Sequence, residues 1–324
     1  MKVAINGLGR IGRSVLKRAL EKNINIVAIN DLADIKTLAH LLKYDSVYGV
    51  YNKKIETGKD FIKINGRKII VTAEKDPENL PWKKMKVDFV IESTGFFTKK
   101  EEALKHINAG AKKVLISAPS KDSDITIVLG VNEKELKKEH KIISMASCTT
   151  NCIAPIIKIL NDKFGIKKGY MTTIHAYTGD QRLIDAPHKD PRRARTAAIN
   201  LVPTSSGAAI AVTQVIPKLK GKLDGMAIRA PVAYGSITDF VATLNKSATV
   251  EEINEAIKEK AKKISEVLEY TEEEIVSTDI IKNTHSSIFD SKLTKTNGNM
   301  VKVLSWYDDE YGYSCRMVDA LKLL

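Results

Sequence analysis

The chain has 324 residues, of which 43% are hydrophobic and 28% are charged, an ordinary globular composition and a length sufficient for two domains. Lys and Arg outnumber Asp and Glu by 52 to 39, a formal net charge of +13. The lysines are scattered along predicted helix faces and are not gathered with aromatic residues. We therefore expect no nucleic acid as the main ligand, and we interpret the charge as favouring solubility and attracting anions.

Several other classes of protein are also disfavoured. No apolar run reaches the ~18 residues typical of a membrane-spanning helix. The first residues form a core-strand pattern without a signal region, so we expect no export. Three cysteines, at 148, 152 and 315, are not a disulfide framework. We therefore predict a cytoplasmic protein, and no metal site is predicted.

The N-terminus carries a glycine fingerprint in a specific context. An apolar run, Lys2–Asn6, precedes Gly7-Leu8-Gly9-Arg10-Ile11-Gly12, and an amphipathic stretch, 13–20, follows it. Gly7 permits a tight turn, Gly9 allows a ligand to approach the backbone, and Gly12 brings the helix close to the strand. This order of strand, glycine turn and helix predicts a site for the pyrophosphate of a dinucleotide.

The next predicted strand, 24–29, supports the same interpretation. It ends in Asn30-Asp31, and Asp31 lies 19 residues after Gly12, where the acid that binds a ribose is expected. The 2′-phosphate of NADP would meet this carboxylate with like charge, and a separation of ~4 Å costs several kcal/mol near a surface. The sequence therefore favours NAD.

Apolar strands and amphipathic segments alternate through residue 146. Further strands are predicted at 69–72, 87–91, 113–117, 125–129 and 142–145, and helices at 100–108 and 133–139. This alternation predicts a largely parallel, doubly wound sheet. Between Gly49 and Gly66 the pattern is that of a hairpin, and Asn65-Gly66 predicts its turn, within an antiparallel insertion.

The pattern changes after Cys148. A helix is predicted over about 149–164, and because Pro155 cannot donate a hydrogen bond, we expect it to start late or to kink. Long apolar strands at 170–176, 226–232 and 236–244 predict a second, more antiparallel sheet. Between the first two, the polar stretch 177–195 lacks periodicity and predicts a functional loop. Helices are predicted at 206–216, 250–268 and 310–324.

These elements predict an α/β protein with an N-terminal doubly wound Rossmann domain and a second, α+β catalytic domain that contains a mostly antiparallel sheet. We place the NAD-binding domain at 1–147 and the catalytic domain at 148–309. We expect the C-terminal helix, 310–324, to pack back on the NAD-binding domain.

Cys148 is the candidate nucleophile. A thiol reacts as the thiolate, and both a helix N-terminus and a neighbouring imidazole lower its pKa. Cys148 directly precedes a predicted helix. Among the six histidines, His175 is the best partner because it ends a predicted strand beside a loop. Cys152, one helical turn later, is interpreted as a buried small residue, and Cys315 as a packed helix residue.

Six motifs stand in order along the chain, at 6–13 (NGLGRIGR), 146–152 (ASCTTNC), 175–178 (HAYT), 187–195 (PHKDPRRAR), 207–209 (GAA) and 305–308 (SWYD). Through these motifs the chain resembles the phosphorylating glyceraldehyde-3-phosphate dehydrogenase family along its entire length. The resemblance implies NAD-dependent oxidation of glyceraldehyde 3-phosphate with inorganic phosphate to 1,3-bisphosphoglycerate, in glycolysis or gluconeogenesis. It also implies a homotetramer.

The resemblance assigns roles to individual residues. Cys148 would form a hemithioacetal and then a thioester, with His175 as general base. The cofactor would be bound by Arg10, Ile11, Lys75 and Ser117, together with Gly7, Gly9, Gly12 and Asp31. The phosphate of the substrate would be bound by Thr178 and Arg229, and the attacking phosphate by Ser147, Thr149, Ser206 and Gly207. Arg193 would lie close to both phosphates. Arg192, Arg193 and Arg195 crowd together, so we also expect subunit contacts from this group.

The chain departs from the family at Asp309, where the family has an asparagine that contacts the nicotinamide carboxamide. An ionised aspartate accepts hydrogen bonds but cannot donate them. We therefore hypothesise that Asp309 favours the oxidised nicotinamide, and that the orientation of the ring is in question. Ala186 stands where NAD-specific members more often have leucine, whereas Pro187 is their usual residue, so NADP stays open as a second cofactor.

Two rival functions remain. Erythrose-4-phosphate dehydrogenase is a related enzyme with the same Cys and His, although the run 205–209 (SSGAA) looks more like the phosphate segment of the glyceraldehyde enzyme. A non-catalytic NAD-binding protein with affinity for nucleic acid is the second, and the intact Cys148 and His175 pair argues against it. A thiol hydrolase would leave the segment from Gly7 to Asp31 unexplained.

Overall fold

The computed structural model describes residues 1–324, which form eight α-helices and eighteen β-strands. The chain divides into two compact units. The first contains Met1–Ile127, Lys134–Ala146 and Ser314–Leu324, and the second contains Val128–Glu133 and Ser147–Tyr313. The short segment from Val128 groups with the second unit, where Gly130 lies against Ile264 and Val267.

The first unit contains eleven strands and four complete helices. The strands are β1 (Lys2–Asn6), β2 (Asn25–Asn30), β3 (Tyr44–Asp45), β4 (Gly49–Val50), β5 (Ile55–Thr57), β6 (Phe61–Ile64), β7 (Arg67–Thr72), β8 (Phe89–Glu92), β9 (Lys113–Ile116), β10 (Ile125–Thr126) and β11 (Ile142–Ser144). The helices are α1 (Arg10–Glu21), α2 (Ile35–Lys43), α3 (Trp82–Met85) and α4 (Lys100–Asn108).

Nine of these strands form one sheet in the order β10-β11-β9-β8-β1-β2-β7-β6-β5. Every pair is parallel from β10 through to β7, whereas β7-β6 and β6-β5 are antiparallel. Asn65 and Gly66 have φ of 45° and 84°, the left-handed values that a two-residue hairpin turn requires. The predicted doubly wound sheet and its antiparallel insertion are confirmed.

The sheet of the first unit is covered by amphipathic helices. Ala103 of α4 packs on Val114, Ile116 and Ile142, which lie on β9 and β11. A second cluster surrounds Trp82, which is completely buried. Burial of these apolar faces stabilises the arrangement by about 25 cal/mol per Å² removed from water.

The second unit contains seven strands and three complete helices. They are α5 (Cys148–Phe164), β12 (Ile166–Ala176), β13 (Val202–Ser205), α6 (Ala208–Val215), β14 (Leu223–Ala230), β15 (Ser236–Leu244), α7 (Val250–Lys263), β16 (Leu268–Thr271), β17 (Ser287–Asn297) and β18 (Met300–Tyr307). The last helix, α8 (Tyr311–Ala320), begins in this unit and continues into the first.

The seven strands form a sheet in the order β13-β14-β12-β15-β18-β17-β16. Four of its neighbouring pairs are antiparallel, and only β12-β14 and β16-β17 are parallel. The predicted α+β unit with a mostly antiparallel sheet is therefore confirmed. The stretch from Tyr177 to Arg195 forms no helix or strand, as expected.

Some predicted elements were wrong. The helix expected at 133–139 is only a 3-10 turn, Glu133–Glu135, because no apolar face follows it that could be buried. The strand expected at 125–129 ends at Thr126, since the side chain of Asn132 accepts the Val128 N–H in place of a strand partner. Helix α7 ends at Lys263, earlier than the expected end near 268, and β16 begins at Leu268.

Pro155 does not delay the start of α5. The helix begins at Cys148 and continues through the proline to Phe164. Its first turn is fixed by Ser147, whose hydroxyl accepts the N–H of Thr150 at 3.1 Å. An interior proline costs about 3 kcal/mol, and the burial of nearly the whole middle of this helix offsets that cost.

Candidate active site

The glycine turn of the first unit follows the spacing that the sequence predicts. Gly7 has φ of +91°, and a Cβ there would lie 2.7 Å from the Thr94 nitrogen. A Cβ on Gly12 would lie 2.0 Å from the Gly7 oxygen, whereas a Cβ on Gly9 would meet nothing within 4 Å. Gly7 and Gly12 are therefore required by close packing, and Gly9 leaves an open approach to the start of α1.

The open side of Gly9 faces a cavity of about 900 Å³, a size typical of a ligand pocket. Of the residues predicted to bind the cofactor, Gly7, Gly9, Asp31 and Lys75 line it. The sequence interpretation missed other residues that also line it: Asn6, Asn30, Leu32, Glu74, Asp76, Ser93, Thr94, Phe96, Phe97 and Lys105. Their position directly after strands of a parallel sheet is the signal that could have identified several of them.

Asp31 is held by two backbone donors. The Leu8 N–H donates to Oδ2 at 2.7 Å, and the Ala33 N–H donates to Oδ1 at 2.9 Å. Both carboxylate oxygens are thus fixed at the edge of the cavity. This geometry fits a ribose with free hydroxyls and opposes a 2′-phosphate, because the carboxylate cannot turn away without breaking these bonds.

The other predicted cofactor residues contribute differently. Arg10 forms an ion pair with Asp45, Nη1 to Oδ2 at 2.8 Å, and its guanidinium lies over the ring of Tyr48. Ser117 is bound through its backbone N–H to the Glu92 carbonyl at 2.9 Å. Arg10, Ile11, Gly12 and Ser117 do not line the cavity, although the first three form the start of α1.

The second unit places the thiol and the imidazole together. Cys148 is the first residue of α5, and His175 lies near the end of β12. The distance from Cys148 Sγ to His175 Nε2 is 3.6 Å. Cys148 is half-buried and His175 is buried. Just before the helix, Ala146 has φ of 53°, a left-handed value that is unusual for a residue other than glycine.

The opposite nitrogen of His175 has two alternative partners. Nδ1 lies 2.7 Å from the Ala176 carbonyl and 2.6 Å from Arg229 Nη1. The carbonyl can only accept from a protonated Nδ1, whereas the guanidinium can only donate to an unprotonated one. When Nδ1–H donates to Ala176, the lone pair of Nε2 faces Cys148, which is the arrangement a general base needs.

Both reacting groups are held in their neutral forms. Burial, reinforced by the negative charge of Asp309, raises the pKa of Cys148 to about 12. Burial, followed by the positive charge of Arg229, lowers the pKa of His175 to about 3. The helix N-terminus and the imidazole expected to lower the thiol pKa are present, but desolvation outweighs them.

Tyr307 ties the start of α5 to the sheet. Its hydroxyl lies 2.8 Å from Thr149 Oγ1 and 2.8 Å from Thr173 Oγ1. Its ring meets the His175 ring edge-on at 5.9 Å between centroids. Tyr307 is completely buried, so it fixes the imidazole from one side and the residue after the nucleophile from the other.

Asp180 joins two of the predicted phosphate-binding residues. It accepts a hydrogen bond from the Thr178 hydroxyl, and its other oxygen lies 2.6 Å from Arg193 Nη1. Arg193 also donates from Nε to Thr204 Oγ1 at 2.9 Å. Arg195 is paired with Asp185 within the same loop. The structure therefore brings Thr178 and Arg193 together through a residue that the sequence interpretation missed.

Ser206 and Gly207 lie at the start of α6. Gly207 is the residue before the helix, and Ser206 Oγ accepts the N–H of Ala208 at 3.3 Å. Helix α6 packs beside α5. Backbone N–H groups at the two helix starts, with the hydroxyls of Ser147 and Thr149, supply donors of the kind that bind phosphate.

Asp309 lies in the unit that holds the thiol and is buried. Its Oδ1 accepts from Ser236 Oγ at 3.1 Å, and the same hydroxyl accepts the Ala176 N–H. Burial and the charges of Asp308 and Glu310 raise the pKa of Asp309 to about 7. The hypothesis drawn for an ionised carboxylate therefore applies above about pH 7, because below it the protonated carboxyl can donate.

The remaining cysteines agree with the sequence interpretation. Cys152 and Cys315 are completely buried in α5 and α8, and all three thiols are free. No cluster of three or more His, Cys, Asp or Glu side chains has the arrangement of a metal site. No helix combines the length and the apolar character needed to cross a membrane.

Comparisons with known proteins agree with this geometry. The model for "Glyceraldehyde 3-phosphate dehydrogenase, NAD binding domain" matches residues 1–100, and that for the C-terminal domain matches 147–309. The chain is 55% identical to the glyceraldehyde-3-phosphate dehydrogenase of Geobacillus stearothermophilus over 98% of its length and 96% of the relative. It is 54% identical to the glyceraldehyde-3-phosphate dehydrogenase of Borreliella burgdorferi, over 100% of its own length and 99% of the relative. The chain therefore belongs to the glyceraldehyde-3-phosphate dehydrogenase family.

Proposed function

We propose that the protein is a phosphorylating glyceraldehyde-3-phosphate dehydrogenase that converts D-glyceraldehyde 3-phosphate, NAD and inorganic phosphate into 1,3-bisphosphoglycerate. The observation that carries the proposal is the 3.6 Å contact between Cys148 Sγ and His175 Nε2 at the start of α5. A thiol beside a base forms a thioester, and a thioester conserves the energy of aldehyde oxidation for transfer to phosphate.

The chemistry begins with proton transfer from Cys148 to Nε2 of His175 as sulfur attacks the aldehyde carbon. The new C–S bond leaves an alkoxide, and His175 returns the proton to it, which gives the neutral hemithioacetal. In the oxidation step Nε2 of His175 accepts this hydroxyl proton again as hydride leaves the same carbon. NAD, when bound, supplies the acceptor for the hydride. A phosphate oxygen attacks the resulting thioester, the C–S bond breaks, and the sulfur leaves as a thiolate that His175 can reprotonate.

Arg229 has two tasks in this scheme. It binds the phosphate of the substrate with Thr178, and its guanidinium lies 2.6 Å from Nδ1 of His175. Burial and, after it, the charge of Arg229 lower the pKa of His175, and a phosphate dianion drawn to Arg229 would neutralise the second of these two causes. Substrate binding would thereby make the imidazole a better base. Ser147, Thr149, Ser206 and Gly207 would bind the attacking phosphate, and Arg193 would lie near both anions.

The residues of the first unit fit NAD. The start of α1 beyond Gly9 has room for a pyrophosphate, since a Cβ at that glycine would meet nothing. Asp31 would accept from the ribose hydroxyls and Lys75 would lie beside the adenosine portion, both at the cavity. Arg10, Ile11, Gly12 and Ser117 would contribute from the surrounding backbone. We propose NAD as the preferred cofactor because both oxygens of Asp31 are held in place.

Assembly and location are also proposals. Five large apolar side chains between residues 183 and 210 are more than half exposed, namely Leu183, Ile184, Ile199, Leu201 and Ile210. Exposed large apolar side chains concentrated in one segment favour a protein–protein interface. We assign them to the homotetramer, and sedimentation would measure this oligomeric state. A reactive thiol among three free cysteines suits the reducing conditions of the cytoplasm.

The decisive experiment follows nicotinamide reduction by the wild type and by Cys148→Ser, with and without inorganic phosphate. We expect Cys148→Ser to lose at least about 10⁴-fold in turnover. Cys152→Ser serves as the control because it changes a buried thiol in the same helix. Without phosphate, mass spectrometry should find an acylated peptide that contains Cys148. Its absence would contradict the mechanism, and a higher kcat/KM on erythrose 4-phosphate would contradict the substrate.

A further inference from the structure

Four polar side chains form a line across the parallel sheet of the first unit. Glu92 ends β8, Asn6 ends β1, Asn30 ends β2 and Thr72 ends β7. They are register partners, Glu92 with Asn6, Asn6 with Asn30, and Asn30 with Thr72. We call these four residues the polar row. The row lies at the carboxyl ends of the strands, where open α/β sheets bind their ligands.

The hydrogen bonds of the polar row all point in one direction. Thr72 Oγ1 donates to Asn30 Oδ1 at 2.8 Å, Asn30 Nδ2 donates to Asn6 Oδ1 at 2.7 Å, and Asn6 Nδ2 donates to Glu92 Oε2 at 2.6 Å. Within the row, every shared hydrogen therefore points toward Glu92. An amide presents a donor on one side and an acceptor on the other, so the acceptor at the end of the row sets the orientation of Asn6. The orientation of Asn30, which the backbone of Glu74 also holds, has to match that of Asn6.

Glu92 is a carboxylate because four donors converge on it. Oε2 accepts from Asn6 and lies 3.0 Å from His106 Nε2, while Oε1 accepts the N–H and the hydroxyl of Thr94. A protonated carboxyl would have to place its hydrogen against an N–H donor or reverse the Thr94 hydroxyl, which already accepts the Phe96 N–H. Glu92 is 1% exposed, and a carboxylate in such a place is stable only when its lone pairs are filled in this way.

His106 does not neutralise this charge. The indole of Trp82 can only donate, and its Nε1 lies 3.1 Å from His106 Nδ1. Nδ1 must therefore be unprotonated, so the single hydrogen of the ring is on Nε2 and points to Glu92. The buried pair carries a net negative charge, which a purely structural hydrogen-bond cluster would not need.

The polar row connects this charge to the dinucleotide cavity. Asn6, Asn30 and Thr94 line the cavity, but Glu92 and His106 do not. Asn30 also exchanges two hydrogen bonds with the backbone of Glu74, from its Nδ2 to the carbonyl at 2.9 Å and from the N–H to its Oδ1 at 2.8 Å. Glu74 directly precedes Lys75, which lines the same cavity.

We propose that Glu92 is a positioning residue for the dinucleotide: its buried carboxylate orients Asn6, Asn30 and Thr94 and, through Glu74, holds the segment that carries Lys75. Replacing it with glutamine puts an NH₂ group against a donor, either Asn6 or Thr94. Asn6 could then turn its amide over, but this would set its NH₂ against that of Asn30. The mismatch would spread along the polar row into the cavity. The identity of the ligand rests on the proposed function.

The test measures NAD binding by calorimetry on the full chain, without substrate, for the wild type, Glu92→Gln and Trp82→Phe. Trp82→Phe also removes a buried hydrogen bond of the same cluster, but on the side of His106 away from the cavity. Urea denaturation of the NAD-free proteins records stability separately. We expect both variants to be less stable, whereas only Glu92→Gln binds NAD about tenfold more weakly. Its KM for NAD should rise while kcat at saturating NAD stays unchanged.

The outcomes separate the two proposals. A wild type that binds no NAD would overturn the proposed function. Two results would overturn only the positioning role. One is wild-type NAD affinity in a folded Glu92→Gln, and the other is a loss of NAD affinity in Trp82→Phe that parallels its loss of stability. If Glu92→Gln does not fold, Glu92→Asp replaces it. That variant keeps the charge but is one methylene too short to reach Asn6 and Thr94 together, so NAD affinity equal to the wild type would overturn the proposal.

Discussion

The two units treat buried polar groups in opposite ways. In the first unit, Glu92 is buried as a carboxylate because four hydrogen-bond donors meet it. In the second, the half-buried Cys148 and the buried His175 and Asp309 have fewer such partners, and the pKa of each is shifted toward the neutral form. Satisfied charges fix geometry, whereas unsatisfied groups keep protons that can move. The first arrangement suits a binding site and the second suits acid and base chemistry.

The largest effect on turnover is expected from replacing His175, which belongs to the second unit. His175→Asn keeps a polar side chain but removes the base, so turnover should fall by about 10² to 10⁴-fold. NAD affinity, for which most of the proposed binding residues lie in the first unit, should stay nearly unchanged. His40→Asn makes the same chemical change at an exposed residue of α2. Initial rates and calorimetric NAD titration would check both variants, and equal turnover in the two would show that His175 is not the base.

A change in the glycine turn should lower stability and NAD affinity and leave the catalytic base in place. Gly7→Ala combines a left-handed backbone with a Cβ 2.7 Å from the Thr94 nitrogen. The free energy of unfolding should fall by about 2 to 4 kcal/mol, from backbone strain and overpacking together. NAD affinity should fall as well.

Gly49→Ala is the matched control for Gly7→Ala. Its φ of +75° is also left-handed, but a Cβ there would meet nothing within 4 Å. Only the backbone cost of about 1 to 2 kcal/mol is therefore expected. Urea denaturation would measure both variants, and equal losses would mean that close packing around Gly7 contributes little.

The smallest expected effect is that of Asp309 on the reactivity of Cys148. Ionised Asp309 raises the pKa of Cys148. Asp309→Asn should therefore increase the rate of Cys148 alkylation severalfold above about pH 7, where the wild-type carboxyl is charged, and leave it unchanged near pH 5. Asp224→Asn, at an exposed position, is the control. The same variant tests whether Asp309 favours NAD over NADH, because the ratio of the two dissociation constants should change.

The pH dependence of stability has a definite sign. The folded-state pKa of Asp309, about 7, lies above the ordinary value of 3.8. The neutral form therefore contributes stability that is fully present below about pH 4 and is lost as pH rises through 7. Asp309→Asn should lack this loss, so its stability relative to the wild type should increase between pH 4 and 7. Parallel curves for the two proteins would contradict the buried, protonated carboxyl.

The glycine turn, Asp31 and Cys148 were predictable because each belongs to a local pattern. Glycine spacing, a strand followed by an acid, and a cysteine before a helix all lie within a few residues. The hairpin at Asn65-Gly66 was predictable for the same reason. Of the two outcomes expected from Pro155, the late start of α5 does not occur, because the burial of this helix is a tertiary effect that outweighs a local penalty.

Asp180, Ser236 and Tyr307 could not be identified from local patterns. Tyr307 reaches Thr149 and Thr173 from β18, more than a hundred residues later in the chain, and Ser236 links Asp309 to the backbone beside His175. The polar row is similar, since Glu92 and Asn6 are 86 residues apart. Only strand register places such residues side by side.

By itself, the sequence determined which chemical groups this protein carries, where its turns and most helices begin, and that a dinucleotide site precedes a thiol site. The tertiary structure alone decided the protonation states, because a pKa depends on burial and on charges brought in from distant segments. It also decided the direction of the hydrogen bonds in the polar row. Local patterns specify backbone conformation, whereas desolvation and hydrogen-bond direction arise only when the chain has folded.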